Sequence, residues 1–198
     1  MKVVIFVRHG ESEINAMHGL SSDINPYKLT EKGINQARTT ADKIAKIPKI
    51  NALYTSPILR AKETAEIIGK RCKISPKIDD RLLERAQGKL NNRTWPSDKE
   101  QVDAYMKEIY AGYKGGFENW SNLQKRMSDF ANSIKEEMSI AVSHSDPILA
   151  LLGTINLKYD DFDLETKIPM ASITVLDFEK RQILCIGSSS VPASLISS

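Results

Sequence analysis

One pattern limits the possible folds more than any other: a continuous apolar, β-branched run that ends abruptly in polar residues. Residues 3–7 have the sequence Val-Val-Ile-Phe-Val and are followed at once by Arg8-His9-Gly10. A run that is apolar at every position, rather than at alternate ones, predicts a strand buried on both faces of a parallel sheet. The polar residues then lie at the carboxyl end of that strand, where open α/β sheets bind their ligands.

A strand followed by a helix is predicted three times along the chain. Residues 30–47, capped by a threonine, form the amphipathic helix after the first strand. Residues 52–55 and 140–142 predict two further strands, which lead into helices opened by Pro57 and by Asp146-Pro147. This alternation indicates the α/β class, with a mostly parallel central sheet flanked by helices on both faces.

Other segments complete the predicted architecture. Residues 97–113 and 118–138 predict two amphipathic helices joined by a Gly115-Gly116 turn, and these helices cap or flank the sheet. Residues 173–176 and 182–186 predict two strands of an antiparallel hairpin at an edge of the sheet. We therefore expect an antiparallel edge strand beside the parallel ones.

Length and charge narrow the class of protein. A chain of 198 residues is of the size of one domain, which we place at residues 1–187, with a mobile Ser-rich tail at 188–198. The 28 Lys and Arg against 25 Asp and Glu give a net charge of +3, too small to indicate a nucleic-acid partner. Apolar runs are too short to cross a membrane, so we expect a soluble, cytoplasmic protein, as a monomer or a homodimer.

Reactive side chains follow the predicted strands. Arg8 and His9 follow the first strand, Arg60 lies in the first turn of the helix after the second, and His144 follows the third. A cation at a helix N-terminus opposes the helix dipole, and a bound anion would remove that conflict at Arg60. The sequence therefore predicts a phosphate pocket at the carboxyl ends of the parallel strands. It contains neither the Cys and His spacing of a zinc site nor a P-loop, so we expect no metal.

Four motifs in order carry a resemblance to a known family. They are Phe6-Val7-Arg8-His9-Gly10-Glu11-Ser12, Leu29-Thr30-Glu31-Lys32-Gly33, Tyr54-Thr55-Ser56-Pro57-Ile58-Leu59-Arg60-Ala61 and Val142-Ser143-His144-Ser145. Together they resemble the histidine phosphatase superfamily, which includes the cofactor-dependent phosphoglycerate mutases. The resemblance covers roughly residues 3–178. It implies a phosphoglycerate mutase-like fold and a small phosphorylated substrate.

The resemblance also implies roles for individual residues. His9 would be the nucleophile that accepts the phosphoryl group, while Arg8, Arg60 and His144 would hold the phosphate oxygens, as phosphoryl transfer requires. Glu84 would be the general acid, with Glu11 as a competitor. The remaining expected contacts to the substrate are the backbone amides near Gly10 and Ser145 and the side chain of Asn15. We expect the arginines to lower the pKa of His9 and keep it neutral.

The motifs leave the acceptor of the phosphoryl group open. Water as acceptor makes the chain a phosphomonoesterase with no cofactor. The compact length resembles the phosphatase branch of the family, and residues 115–118 resemble its Gly-Glu-Ser stretch, so the resemblance favours this interpretation. A second phosphoglycerate makes it a mutase with 2,3-bisphosphoglycerate as phosphoryl donor, and Arg85 could then bind the substrate carboxylate. A non-catalytic module that binds phosphorylated ligands is a third, minor alternative.

Overall fold

The computed structural model describes residues 2–95, 98–110, 116–155 and 168–196. Its strands are β1 (Val3–Arg8), β2 (Gly19–Leu20), β3 (Ala52–Thr55), β4 (Pro76–Ile78), β5 (Arg93–Thr94), β6 (Met138–Ser143), β7 (Ile173–Asp177) and β8 (Gln182–Ser188). Its helices are α1 (Glu13–Ala16), α2 (Glu31–Ile44), α3 (Leu59–Cys72), α4 (Lys99–Tyr110), α5 (Trp120–Ser133) and α6 (Ser145–Leu152). Among the described residues, no helix is long and apolar enough to cross a membrane.

The central sheet has six strands in the order β4-β3-β6-β1-β7-β8. The first four run parallel to one another, while β7 runs antiparallel to both of its neighbours. The predicted α/β class with a mostly parallel sheet is therefore confirmed. The predicted hairpin is also present, with β8 as the edge strand and β7 inside the sheet.

Strand β1 lies between two hydrophobic clusters. Val3, Ile5 and Val7 pack with side chains of α2 and α3 on one face, and Val4 and Phe6 pack with side chains of α5 and α6 on the other. All five side chains are fully buried. Burial of a side chain of this size stabilises the fold by roughly 1.5–3 kcal/mol. The continuous apolar run thus forms the middle of the molecule, as its pattern predicts, and fixes where β1 ends.

Helices α2 and α3 begin at polar or extended residues that the sequence partly reveals. The Thr30 side chain accepts a hydrogen bond from the amide of Gly33 at 3.0 Å and caps α2 as predicted. Helix α3 begins at Leu59, two residues after the predicted start at Pro57, because Ile58 is extended and the Leu59 amide donates to the carbonyl of Ile24. This tertiary bond shifts the helix start without moving Arg60 out of the first turn.

The region around Met138 corrects one prediction. The sequence pattern places Met138 at the end of a helix over 118–138, but α5 ends at Ser133 and Met138 begins β6 opposite Val3. The extended backbone at Ile134 stops the helix, and the main chain of Met138 bonds to Asn51 instead. Amphipathic periodicity alone cannot place this change from helix to strand.

Two features near the chain's end and in its loops have no counterpart in the sequence pattern. Strands β2 and β5 form a separate two-stranded sheet that joins the loop after α1 to the segment before α4. In the segment predicted as a tail, Val191 and Leu195 are buried in the cluster that includes α2 and α3. Of the predicted Gly115-Gly116 turn, Gly115 lies outside the described residues, while Gly116 has a φ of 81° that favours glycine.

Candidate active site

His9 is held rigidly just beyond the end of β1. Its amide donates to the carbonyl of Ser143 at 3.0 Å, and its carbonyl accepts from the amide of Ala171 at 3.1 Å. The ring nitrogen Nδ1 lies 2.7 Å from the carbonyl oxygen of Gly10, which can only accept, so Nδ1 carries the proton. The neutral ring therefore presents the lone pair of Nε2, which is the nucleophilic form of a histidine.

Arg60 reaches His9 from the first turn of α3. Its Nε donates to Nε2 of His9 at 3.0 Å, and its Nη2 donates to the carbonyl of Ser21 at 2.7 Å. Only 3% of Arg60 is exposed. Burial lowers the pKa of Arg60 to about 10, so the guanidinium still carries its charge at neutral pH. The residue thus brings a positive charge directly against the lone pair of Nε2.

His144 completes the group from the end of β6. The ring centroids of His9 and His144 are 5.0 Å apart, and Nδ1 of His144 lies 3.4 Å from Nη2 of Arg60. On its other side, Nε2 of His144 lies 2.9 Å from the hydroxyl of Ser56. Ser56 belongs to one of the four motifs but has no predicted role, and its contact orients the ring of His144.

Arg8 adds a second guanidinium, and we call Arg8, His9, Arg60 and His144 the basic cradle. Nη1 of Arg8 donates to the carbonyl of Ile168 at 2.6 Å. Nε of Arg8 and Nη1 of Arg60 are buried, and neither has a hydrogen-bond partner among the described residues. An unmet buried donor costs about 1–3 kcal/mol, so two of them on cations side by side are typical of an anion site.

Both histidines of the cradle are neutral. The pKa of His9 and the pKa of His144 lie well below the ordinary value, because burial penalises the charged ring and the cationic Arg60 and Arg8 lie nearby. The predicted direction is therefore correct for His9. The larger cause is burial, however, and the arginines that the sequence singles out come second.

Glu84 lies beside the cradle, with one carboxylate oxygen 3.9 Å from Nδ1 of His144. Its other oxygen accepts from the amide of Arg85 at 2.9 Å. Burial, followed by the negative charge of Asp146, raises the pKa of Glu84 to about 7. A carboxyl group with this pKa holds its proton near neutral pH and can donate it, as a general acid must.

Glu11 is placed differently from Glu84. One carboxylate oxygen accepts from the hydroxyl of Thr30 at 2.9 Å and the other from Nζ of Lys32 at 2.7 Å. These two hydrogen bonds lower the pKa of Glu11, and the bond from Lys32 has the larger effect. An ionised carboxylate tied to the start of α2 supports the loop and has no proton to donate.

Arg85 is surrounded by protein groups. Its Nε donates to the carbonyl of Glu118 at 2.9 Å, its Nη1 lies 4.0 Å from a carboxylate oxygen of Asp146, and its guanidinium lies 5.9 Å and 5.6 Å from the ring centres of Phe117 and Trp120. We call Glu84, Arg85, Glu118 and Asp146 the mixed-charge cluster. Asp146 has no predicted role in the site, and Glu118 is predicted only as part of the stretch at residues 115–118.

Two of the remaining predicted residues make local contacts. The carboxamide oxygen of Asn15 accepts from the amide and the hydroxyl of Ser12, at 3.1 and 2.7 Å, which caps α1. The amide of Gly10, expected as a donor to substrate, donates to the hydroxyl of Thr64 at 3.1 Å. A Cβ at Gly10 would collide with the carbonyl of Gly33, so glycine lets the loop after β1 approach α2.

Ser145 lies at the start of α6, directly after His144. It is partly exposed, and its amide belongs to the first turn, whose N–H groups have no acceptor within the helix. The structure thus brings five predicted residues together, which are Arg8, His9, Arg60, Glu84 and His144. Among the described residues, no group of three or more His, Cys, Asp or Glu side chains could hold a metal ion.

A family model also matches the sequence of this chain. The description of that family is histidine phosphatase superfamily (branch 1), and its model matches residues 4–187. The chain belongs to the histidine phosphatase superfamily. Relatives of the chain include both mutases and phosphatases, and the phosphoglycerate mutase-like fold that the sequence predicts is confirmed by a solved structure.

Three similar proteins illustrate the range of activities among the relatives. A 2,3-bisphosphoglycerate-dependent phosphoglycerate mutase of Thermoplasma acidophilum is 35% identical over 98% of this chain and 96% of its own. A metal-independent phosphoserine phosphatase of Arabidopsis thaliana is 29% identical over 87% of this chain and 75% of its own. The crystal structure of phosphoglycerate mutase from Thermus thermophilus superposes with a TM-score of 0.71 at 25% identity, covering 93% of this chain and 97% of its own.

Proposed function

We propose that the chain hydrolyses small phosphomonoesters, without a metal, through a phosphohistidine on Nε2 of His9. The observation that carries the proposal is the buried, neutral His9, whose Nε2 lone pair faces Arg60. The two unmet guanidinium donors of the basic cradle provide a place for the phosphoryl oxygens. Phosphoryl transfer requires mainly positioning and stabilisation of charge on these oxygens, and the cradle can supply both.

In the first step, the phosphoryl group moves from substrate to His9. The lone pair of Nε2 attacks phosphorus, the P–N bond forms and the P–O ester bond breaks, while Glu84 gives its proton to the leaving oxygen. The Nε–H of Arg60, which donates to Nε2 in the free protein, turns to a phosphoryl oxygen. Arg8 and His144 bind the other oxygens.

In the second step, water takes the phosphoryl group. Glu84, now a carboxylate, accepts a proton from the water whose oxygen attacks phosphorus. The P–N bond breaks, its electron pair returns to Nε2, and inorganic phosphate leaves. Glu84 has then regained its proton and His9 its lone pair, so the enzyme is ready for another substrate.

A mutase is the second candidate, and the Thermoplasma relative favours it. Chain length does not separate the two activities, because that relative is covered over 96% of its length. The contacts of Arg85 favour hydrolysis, since the guanidinium that would bind a phosphoglycerate carboxylate already lies against Asp146 and the carbonyl of Glu118.

A phosphorus NMR time course on 3-phosphoglycerate with a trace of 2,3-bisphosphoglycerate separates the candidates. We expect inorganic phosphate to accumulate. Formation of 2-phosphoglycerate without free phosphate would instead establish the mutase. Arg85 would then be assigned to binding the substrate carboxylate. A parallel incubation, analysed by intact mass at neutral pH, should show an acid-labile phosphoryl adduct that His9→Ala lacks. Absence of turnover and of adduct with a panel of phosphomonoesters would leave only a binding module.

A further inference from the structure

Asp146 lies where two functional elements meet. It is in the first turn of α6, two residues after His144, and its side chain is 34% exposed. One of its carboxylate oxygens lies 4.0 Å from Nη1 of Arg85, whose own amide donates to Glu84. Arg85 therefore connects the carboxyl group of Asp146 to the segment that carries the candidate acid.

The other charged groups around the two carboxyl groups come from several elements. Arg8 at the end of β1 and Arg60 at the start of α3 bring positive charge toward Glu84. Beside α5, Glu118 forms a two-point ion pair with Arg126, at 2.7 and 2.8 Å, and Arg126 also donates to the Glu84 carbonyl at 3.2 Å. Arg126 pairs with Glu118 at 2.7 and 2.8 Å, whereas the nearest guanidinium nitrogen of Arg85 lies 4.0 Å from Asp146, so the charge of Asp146 is the less compensated of the two. It is this charge that raises the pKa of Glu84 after burial.

The surroundings of the two carboxyl groups determine which of them is protonated and which is charged. Asp146 is one-third exposed and lies 4.0 Å from Arg85, whereas Glu84 is only 13% exposed. The Arg85 amide, Arg60 and Arg8 favour the charged form of Glu84, but they offset its burial only in part. Burial, and to a smaller extent the charge of Glu118, also raise the pKa of Asp146, while Arg85 and Arg8 oppose part of that rise. When two nearby carboxyl groups cannot both ionise cheaply, the better solvated one carries the charge, and here that is Asp146.

We propose that Asp146 is a positioning residue for the mechanism above: its carboxylate, anchored by Arg85, keeps the proton on Glu84 and so keeps Glu84 ready to protonate the leaving group. The inference rests on the proposed function, in which Glu84 is the acid. Asp146 makes no contact with the reacting atoms in this scheme and acts only through Glu84.

A purely structural role for Asp146 makes a different prediction. An acidic residue in the first turn of a helix stabilises that helix through its dipole. Its loss would lower the stability of the fold without changing how Glu84 titrates. The titration of Glu84 therefore distinguishes the two roles, whereas activity at a single pH does not.

The test is a carboxyl-carbon NMR titration of the full chain labelled in glutamate, with the Glu84 signal assigned by its loss in Glu84→Gln. In Asp146→Asn we expect the midpoint of Glu84 to fall by about 0.5–1 pH unit. Asp146→Glu, which keeps the charge, should restore the midpoint toward that of the wild type. Asp42→Asn, which removes an exposed carboxylate on α2 paired with Arg71, is the matched control and should leave it unchanged.

An unchanged midpoint in Asp146→Asn would overturn the proposal. Should that variant fold poorly, Asp146→Ser, which is well tolerated at a helix start, gives the same reading. The alkaline limb of kcat/KM for 3-phosphoglycerate should move down by the same amount as the midpoint. If the wild type neither releases phosphate nor forms an adduct, the proposed function fails, while the titration still decides whether Asp146 governs the proton on Glu84.

Discussion

The basic cradle and the mixed-charge cluster meet at His144 but are built in different ways. The side chains of the cradle end β1, follow β1 and β6 or begin α3, so the parallel sheet places them within one or two residues of a buried strand or helix end. The members of the cluster come from a loop, from the residues before α5 and from α6, and ion pairs and ring contacts hold them together.

This difference separates two kinds of chemistry. The cradle is rigid and desolvated, which favours a neutral nucleophile and strong contacts to an anion. The cluster is partly exposed and contains carboxyl groups of shifted pKa, which suits proton transfer and discrimination among leaving groups. Substitutions in the cradle should therefore abolish or greatly reduce transfer, while those in the cluster should change its pH dependence and substrate range.

The largest effect is expected at His9. His9→Ala removes the only atom that forms the intermediate, so turnover should fall by about 10⁴-fold or more. Phosphate release and the phosphoryl adduct, measured together, check this. His18→Ala is the matched control, since His18 is exposed, lies between α1 and β2 and is not part of the basic cradle. Retained turnover in His9→Ala would show that the cradle does not supply the nucleophile.

A smaller loss is expected at Arg60. Arg60→Met keeps much of the side-chain volume but removes the charge, so kcat/KM should fall by about 10²–10³-fold. Arg71→Met on the same helix, where the side chain is 56% exposed, should behave like the wild type. Thermal unfolding of both variants shows whether they are folded. Unchanged kinetics in a folded Arg60→Met would exclude Arg60 from transition-state stabilisation.

The cradle is predictable because its residues are tied to elements with strong local signals. The apolar run marks where β1 ends, so Arg8 and His9 must lie at the carboxyl ends of the parallel strands. The start of α3 places Arg60 within one helical turn of the same ends. Parallel pairing of β1 with β6 then brings His144 to the same ends. Few long-range contacts are needed beyond the sheet itself.

The cluster cannot be predicted in the same way. Asp146 stands in the sequence only as part of a helix start, and Arg85 as a possible ligand of a carboxylate. Their proximity depends on how the segment after β4 packs against the start of α5, through the isolated bridge between Gln87 and Phe117 and the ring contacts of Arg85. Such contacts join distant parts of the chain and leave no periodic signal. The end of α5 before Met138 escapes prediction for the same reason.

Glu84 should destabilise the fold as it ionises. Its pKa is raised from an ordinary 4.5 to about 7, so its favourable contribution is complete below the ordinary value and is lost as the pH rises through about 7. Glutamine at this position cannot ionise, so the free energy of unfolding of Glu84→Gln should not fall in this way. The variant should be more stable than the wild type by about 2–3 kcal/mol at about pH 8, and only slightly more stable at about pH 5.

Urea unfolding at the two pH values measures this difference. Glu137→Gln is the matched control, because the Glu137 side chain is 72% exposed and its loss should give no pH-dependent gain. An equal stability difference at both pH values would mean that Glu84 is ionised in the folded protein throughout. The cluster would then lack a proton donor, and its contrast with the cradle would disappear.

The smallest effect is expected at Arg85, and it tests whether the cluster binds substrate at all. Arg85→Met removes the partner of Asp146 but retains a side chain that can pack against Phe117 and Trp120. If Arg85 only organises the cluster, kcat should fall about threefold to tenfold, or roughly 1 kcal/mol, for 3-phosphoglycerate and for glycerol 3-phosphate alike.

A rise in KM confined to 3-phosphoglycerate would show instead that Arg85 leaves Asp146 to bind the carboxylate. Since only the first of these substrates has a carboxylate, their ratio distinguishes a residue that positions the acid from one that selects the substrate.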